Sequence, residues 1–149
     1  MPNQPRKTLR TDARLMVETC VGWNSRLAVR RINQFLDREL AGIGLSAAQV
    51  GLMAQIAAMT DDTLGALAKR TGLEQSTLSR NLRTLEGKGL IEIALVETDL
   101  RRRAVWLTET GARRLEKAIP PWRRANAKLA RHVSTHLARQ LAQEAEALA

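Results

Sequence analysis

The sequence contains one cysteine, Cys20, no tyrosine and a single phenylalanine among its 149 residues. One cysteine cannot form an intrachain disulfide or a cysteine-rich zinc site, which indicates a reducing, cytoplasmic setting. No apolar run approaches the roughly 18 residues of a membrane span, so no contact with a membrane is expected.

Groups for catalysis or metal binding are equally scarce. No glycine-rich phosphate loop and no nucleophile motif occurs, so we predict that the chain is not an enzyme and needs no cofactor. His132 and His136 are spaced like two metal ligands on one helix, but a helix start near Ser134 would separate them and no third ligand is evident. Ordinary surface or interface histidines are therefore the better interpretation, and no metal site is predicted.

Positive charge is abundant. The chain has 24 Lys and Arg against 15 Asp and Glu, a formal net charge of +9, which indicates a polyanionic partner. Residues 61–110 are nevertheless neutral by count, with eight basic and eight acidic side chains. Five of their six arginines lie in two clusters, Arg80 with Arg83 and residues 101–103, so a DNA contact in this region depends on where the positive charges lie rather than on the net charge.

The apolar pattern predicts a mainly α fold with one small β-hairpin. Residues 11–40 predict a long helix whose apolar stripe changes sides near Leu27, as for a helix that packs against two bodies. A capping box at 46–49 starts a second helix, and two further helices should end near Arg70 and Glu86. A hairpin with its tip at 97–103 follows, because apolar residues alternate on both sides of that run.

Two helices complete the chain. One should start at the Thr108 cap, and Pro120 and Pro121 should kink or interrupt it, because proline lacks the backbone N–H. The last should start at Ser134.

The third and fourth helices form a candidate helix–turn–helix motif. Ala68 is small where the helices would cross, Gly72 suits a turn with positive φ, and Leu78 would fix the second helix on the first. An ordinary helical hairpin would fit these three positions alone. The following hairpin, with three arginines at its tip, favours a winged helix–turn–helix.

These segments resemble the MarR (multiple antibiotic resistance regulator) family of transcription factors. The resemblance covers about residues 20–130 and rests on the motifs at 44–49, 67–73, 76–86, 89–92 and 99–111. It implies a homodimer with helical dimerisation regions at 11–42 and 112–149 and a winged helix–turn–helix at 43–111. It also implies a pseudo-palindromic double-stranded DNA operator, and repression released by a small aromatic or anionic effector.

The resemblance and the chemistry of the exposed side chains together predict a set of DNA-binding residues. The recognition helix would lie in the major groove, Arg101 would enter the minor groove, and Asp99 would brace Arg101. Arg102 and Arg103 would contact phosphates, although solvated charges at the tip are an equally good interpretation. The full set is Gln75, Ser76, Thr77, Ser79, Arg80, Arg83, Asp99, Arg101, Arg102 and Arg103.

Candidate residues for sensing a signal carry two interpretations each. Trp23 and Trp122 would line a small-molecule crevice, with Arg26 or Arg123 pairing an anionic ligand, or both tryptophans would simply pack in the core. Cys20 is expected to be a buried structural cysteine in mid-helix. A redox role is the alternative, but the tyrosines that position the thiol in peroxide-sensing relatives are absent here.

Two other functions remain open at this stage. A non-specific architectural DNA-binding protein would bind operator and random duplexes alike. A winged helix used only for protein interaction would have no use for three consecutive arginines in the hairpin.

Overall fold

A computed structural model describes residues 7–96 and 99–149, with the side chains of 8–95 and 102–149. This part of the chain is mainly helical with one antiparallel hairpin, which confirms the predicted fold class. The elements are α1 Lys7–Thr19, α2 Val21–Glu39, a 3-10 turn Ala41–Ile43, α3 Ala47–Ala58, α4 Leu64–Thr71, α5 Gln75–Gly87, β1 Ile91–Val96, β2 Asp99–Leu107, α6 Glu109–Ala130 and α7 Thr135–Glu146. None of these helices is long and apolar enough to cross a membrane.

The predicted single helix over 11–40 is wrong, because the chain breaks at Cys20 between α1 and α2. The side chain of Asn24 spans the break. Its side-chain amide donates to the backbone oxygen of Cys20 at 2.8 Å and to that of Glu18 at 3.3 Å. The Cys20 oxygen also accepts the backbone N–H of Asn24 at 3.1 Å, so Asn24 bonds this oxygen with both its backbone and its side chain.

The chain divides into two compact units, one ending at Phe35 and the other spanning Leu36–Ala149. In the first unit no residue between 8 and 35 is buried. The second unit contains the hydrophobic core, which α3, α4, α5, the hairpin and α6 build together. Its buried members are Leu40, Leu45, Val50, Leu52, Met53, Ile56, Leu67, Leu78, Leu82, Leu85, Leu90, Ile91, Val105 and Ala118.

Side-chain caps fix where the core helices begin. Ser46 and Gln49 form the predicted capping box of α3, each accepting the other's backbone N–H at 3.1 Å. Thr63 caps α4 and Thr108 caps α6, and Ser134 caps α7 as predicted. Each cap satisfies a backbone N–H that the first turn of a helix leaves free.

Helix α6 continues through Pro120 and Pro121, so the predicted interruption does not occur. Each proline removes one helical hydrogen bond, a local cost that packing on both sides offsets. Ala118 and Ala125 are fully buried on either side of the pair. Small side chains at these positions let α6 lie close against the rest of the unit.

The start of α6 is joined to the start of the hairpin. Oγ1 of Thr108 donates to the backbone oxygen of Gly89 at 2.6 Å, and the backbone N–H of Thr108 donates to that of Leu90 at 3.1 Å. Gly111 completes this junction because a Cβ there would lie 1.9 Å from the Leu90 oxygen. Only glycine fits so close an approach between two backbones.

Candidate nucleic-acid interface

Helices α4 and α5 form the predicted helix–turn–helix. Gly72 ends α4 in the left-handed conformation with φ of 60°, and its N–H bonds the backbone oxygen of Ala68. Ala68 is half-buried where it packs against the core, and Leu78 on α5 is buried. The three positions therefore have the environments that the sequence predicted for them.

Helix α5 has two chemically distinct faces. Leu78, Leu82 and Leu85 are buried in the core, at the spacing of one helical face. The other face is exposed and carries hydroxyl, amide and guanidinium groups. Its exposed residues are Gln75, Ser76, Ser79, Arg80 and Arg83. The predicted DNA-binding residue Thr77 differs from these, because it is half-buried.

The side chains on the exposed face are free to bind. Neither Arg80 nor Arg83 forms an ion pair within the described residues, where the two ion pairs are Arg113–Glu109 and Lys128–Glu39. Lys88 is different, since its Nζ donates to the backbone oxygen of Gly44 at 3.3 Å. A helix face with serine hydroxyls and unpaired arginines can donate to base edges and phosphates.

The hairpin of β1 and β2, called the wing below, differs from prediction in where its arginines lie. The predicted tip at 97–103 is too long, because β2 already begins at Asp99. The strands pair regularly from Ile91 with Leu107 to Leu95 with Arg103, and the register then shifts so that Val96 pairs with Asp99. The arginines at 101–103 therefore belong to a strand, at or beside this shift.

The wing is anchored to the start of α4. The backbone N–H of Val105 donates to the oxygen of Asp62 at 2.8 Å, and Thr63 forms an isolated antiparallel bridge with Ala104. Arg102 and Arg103 are both exposed beside this anchor. Residues 97–98 of the predicted tip and the side chains of Asp99 and Arg101 lie outside the described residues, so the bracing of Arg101 by Asp99 stays a prediction.

Asp61 is the acidic group at this anchor. Its Oδ1 accepts the Oγ1–H of Thr63 at 2.8 Å and the N–H of Thr63 at 3.0 Å. These hydrogen bonds, together with the positive charge of Arg102, lower the pKa of the Asp61 carboxyl below its ordinary value of 3.8. The carboxylate is thus held in its charged form at the base of the wing.

A separate apolar cavity of about 640 Å³, called the α3–α6 cavity, contains one of the predicted ligand-binding residues, Trp122. Its walls are mostly apolar side chains, including Leu40 and Val50, and its polar groups include Gln55 and Arg123. The sequence did not predict Gln55 as a lining residue, because it belongs to no recognisable motif. The other two candidates, Trp23 and Arg26, are exposed on α2 in the first compact unit, so their role with a ligand stays a prediction.

The expectation of a buried Cys20 in mid-helix is wrong. The thiol is exposed, and its sulfur accepts the backbone N–H of Trp23 at 3.4 Å. Cys20 thereby occupies the capping position of α2, because the break places it immediately before that helix.

His132 and His136 are exposed on either side of the Ser134 cap. Across residues 7–96 and 99–149, no group of three or more ionisable side chains could hold a metal ion.

Comparison with known proteins identifies the family. A family model described as the MarR family matches residues 43–102. The DNA complex of the transcriptional regulator MosR from M. tuberculosis is 32% identical, with a TM-score of 0.77 over 87% of this chain and 96% of that chain. The chain belongs to the MarR family. Its fold is the winged helix–turn–helix of DNA-binding transcription regulators.

More distant structures share the fold of this MarR-family chain. MepR from S. aureus, in a DNA complex, is 22% identical with a TM-score of 0.69 over 86% of this chain and 95% of that chain. A mutant MarR from E. coli, complexed with operator DNA, is 21% identical with a TM-score of 0.74 over 90% and 97%. No curated protein sequence gave a significant match.

Proposed function

We propose that two copies of this chain form a dimeric repressor that binds a pseudo-palindromic DNA operator and is released by a small ligand. The observation that carries the proposal is the exposed face of α5, where Ser76, Ser79, Arg80 and Arg83 lie opposite a buried leucine face. Arginine can bind guanine O6 and N7 in the major groove, while hydroxyls bind phosphates and base edges. The likeness to MosR, whose structure contains DNA, supports this assignment.

The wing would contribute the second DNA contact. In this proposal Arg101 enters an adjacent minor groove, where narrow A·T-rich sequence strengthens the negative potential. Asp99 would brace it, and Arg102 and Arg103 would contact phosphates. The bonds of Val105 and Ala104 to Asp62 and Thr63, just before α4, support a wing held beside the helix–turn–helix.

Exposed apolar side chains support the dimer. Leu137 and Leu141 are 57% and 45% exposed on α7, and Met16 is 71% exposed on α1. Terminal helices that expose such side chains in one chain gain most by burying them against a second copy. Dimer symmetry then requires operator half-sites one helical turn apart, about 10–10.5 base pairs.

The α3–α6 cavity supports the ligand. Apolar walls with one guanidinium, that of Arg123, suit a small aromatic anion, because the ring is desolvated while the charge is paired. Trp122 supplies an aromatic side chain in the same cavity. Benzoate is a simple probe of this class, and Arg124, which is exposed nearby in sequence but outside the lining, provides a matched control.

Operator binding is tested first by selecting bound fragments from genomic DNA. Affinity is then measured for the selected operator and a scrambled duplex at several salt concentrations. We expect tighter binding to the operator, and Arg80→Ala or Arg83→Ala should reduce the preference at one base pair by about 1–3 kcal/mol. Arg113→Ala is the control, because Arg113 is paired with Glu109 on α6. Equal affinities for both duplexes would instead support an architectural protein, and no binding would support a protein-interaction module.

The ligand is tested by adding benzoate to the operator complex. We expect benzoate to weaken DNA binding by the wild-type protein and by Arg124→Ala, and to have little effect on Arg123→Ala. An equal response of both variants would contradict a role for the α3–α6 cavity without affecting the proposal of operator binding.

A further inference from the structure

The wing and the start of α4 enclose a cleft of about 790 Å³, called the α4–wing cleft below. One wall is the first turn of α4 together with Lys69, and the other wall carries Arg102 and Arg103 on β2. Lys69 was not among the residues singled out from the sequence. Cations in the last turn of a helix are common because they complement the helix dipole, so its sequence position carries no signal of its own.

The cleft has an excess of positive charge. Lys69, Arg102 and Arg103 give three positive charges, and the carboxylate of Asp61 is the acidic group of the lining. That carboxylate is already engaged by the two hydrogen bonds from Thr63. Lys69 and Arg103 form no ion pair with any described residue, so their charges are available to an anion.

The two walls are held at a fixed separation by backbone bonds. The Val105 N–H to Asp62 bond of 2.8 Å and the bridge between Thr63 and Ala104 join β2 to the segment that leads into α4. Backbone pairing of this kind fixes the backbone positions of the cations on opposite walls, so that only their side chains are ordered when an anion binds. A preorganised cleft loses less conformational entropy when it binds its ligand.

We propose that the α4–wing cleft binds a phosphate of the DNA backbone, with Lys69 as a phosphate contact from the first helix of the helix–turn–helix. This inference rests on the proposed operator binding. In helix–turn–helix proteins the first helix crosses the DNA backbone while the second lies in the major groove. We therefore expect Lys69 to affect the affinity for DNA and the register of the protein on the duplex, but not the choice of bases.

The test compares Lys69→Gln with the wild-type protein on operator and scrambled duplexes between 0.1 and 1 M salt. One phosphate contact contributes a slope of about 0.9 in log K against log salt, so Lys69→Gln should reduce the slope by about that amount on both duplexes. Affinity should fall roughly eightfold at 0.1 M salt, and the loss should vanish near 1 M. Lys69→Arg, which keeps the charge, should restore most of the affinity.

Lys117→Gln is the matched control, because Lys117 is exposed on α6 and does not line the cleft. Asp61→Asn should tighten binding to both duplexes, since it removes the negative charge from the cleft while an oxygen remains for Thr63. An unchanged slope for Lys69→Gln, or equal effects of Lys69→Gln and Lys117→Gln, would overturn the inference while operator binding by the wild-type protein stands. A Lys69→Gln variant that loses affinity for inorganic phosphate but not for either duplex would also overturn it. Absence of wild-type binding to any duplex would overturn the proposed function itself.

Discussion

Arg70 and Gln55 join two helices through a bidentate contact. Nε and Nη2 of Arg70 both donate to Oε1 of Gln55, at 3.2 and 3.1 Å. Arg70 lies in the last turn of α4, and Gln55 lies on α3, where it also lines the α3–α6 cavity. The same amide therefore faces both the helix–turn–helix and the proposed ligand site.

We predict that this contact contributes little to stability. Because both residues have access to solvent, Gln55→Ala or Arg70→Ala should each lower the free energy of unfolding by about 0.5 kcal/mol. The double variant should lose no more than either single variant, which a double-mutant cycle in urea measures. Additive losses would contradict an interaction between the two side chains.

Gly111→Ala should destabilise the protein far more than a surface substitution does. The added Cβ would meet the Leu90 oxygen at 1.9 Å, so the start of α6 and the start of the wing must move apart. Overpacking of this kind costs about 1–3 kcal/mol. Urea unfolding measures the loss, and Gly65→Ala is the control, because a Cβ there meets nothing within 4 Å. Equal stability of the two variants would contradict the close approach.

Acid should weaken the anchor of the wing. The pKa of Asp61 is lowered in the folded protein, so its carboxylate contributes stability above about pH 4, and this contribution is lost as the pH falls through the folded pKa. We therefore expect wild type and Asp61→Asn to differ in urea midpoint at neutral pH and to converge as the pH falls below the lowered pKa of Asp61. A difference that does not change with pH would contradict the assignment.

Cys20 should tolerate serine better than alanine. A serine hydroxyl can accept the Trp23 N–H that the sulfur accepts now, whereas alanine leaves the cap of α2 unsatisfied. Cys20→Ala should therefore be less stable than Cys20→Ser by about 0.5–1 kcal/mol, as thermal unfolding would show. We also expect both variants to bind the operator as the wild type does. Loss of binding by Cys20→Ser would contradict this purely structural role.

The apolar face of α7 should control the oligomeric state. Replacing Leu137 and Leu141 together by lysine adds two charges to the proposed interface, so we expect sedimentation to show a dimer for the wild type and a monomer for the variant. Arg139→Ala on the same helix is the control and should leave the mass unchanged. A lysine variant that remains dimeric at micromolar concentration would exclude α7 from the interface.

The starts of the core helices could be predicted from the sequence because the interactions that fix them are local. The caps at Ser46, Thr63, Thr108 and Ser134 need only a side chain and a backbone N–H within one turn, so the sequence contains the whole interaction. The leucine face of α5 and the left-handed Gly72 follow from periodicity and from turn chemistry in the same way.

Features that depend on contacts distant in sequence were missed or mistaken. Helix α6 stays continuous with Pro120 and Pro121 inside it, and Ala118 and Ala125 are buried on either side of the pair. Lys69 and Arg102 both line the α4–wing cleft, although they are more than thirty residues apart in the chain. No local motif therefore contains this site. The length of β2 likewise depends on pairing with β1, which the arginine-rich composition concealed.

Helix α6 is one continuous element of the second unit. Its 22 residues span about 33 Å, and hydrogen bonds hold both ends, Thr108 to Gly89 at the base of the wing and Lys128 to Glu39 at the other end. Because α6 is unbroken through its two prolines, a single element connects the base of the wing with Glu39, about 33 Å apart along the helix.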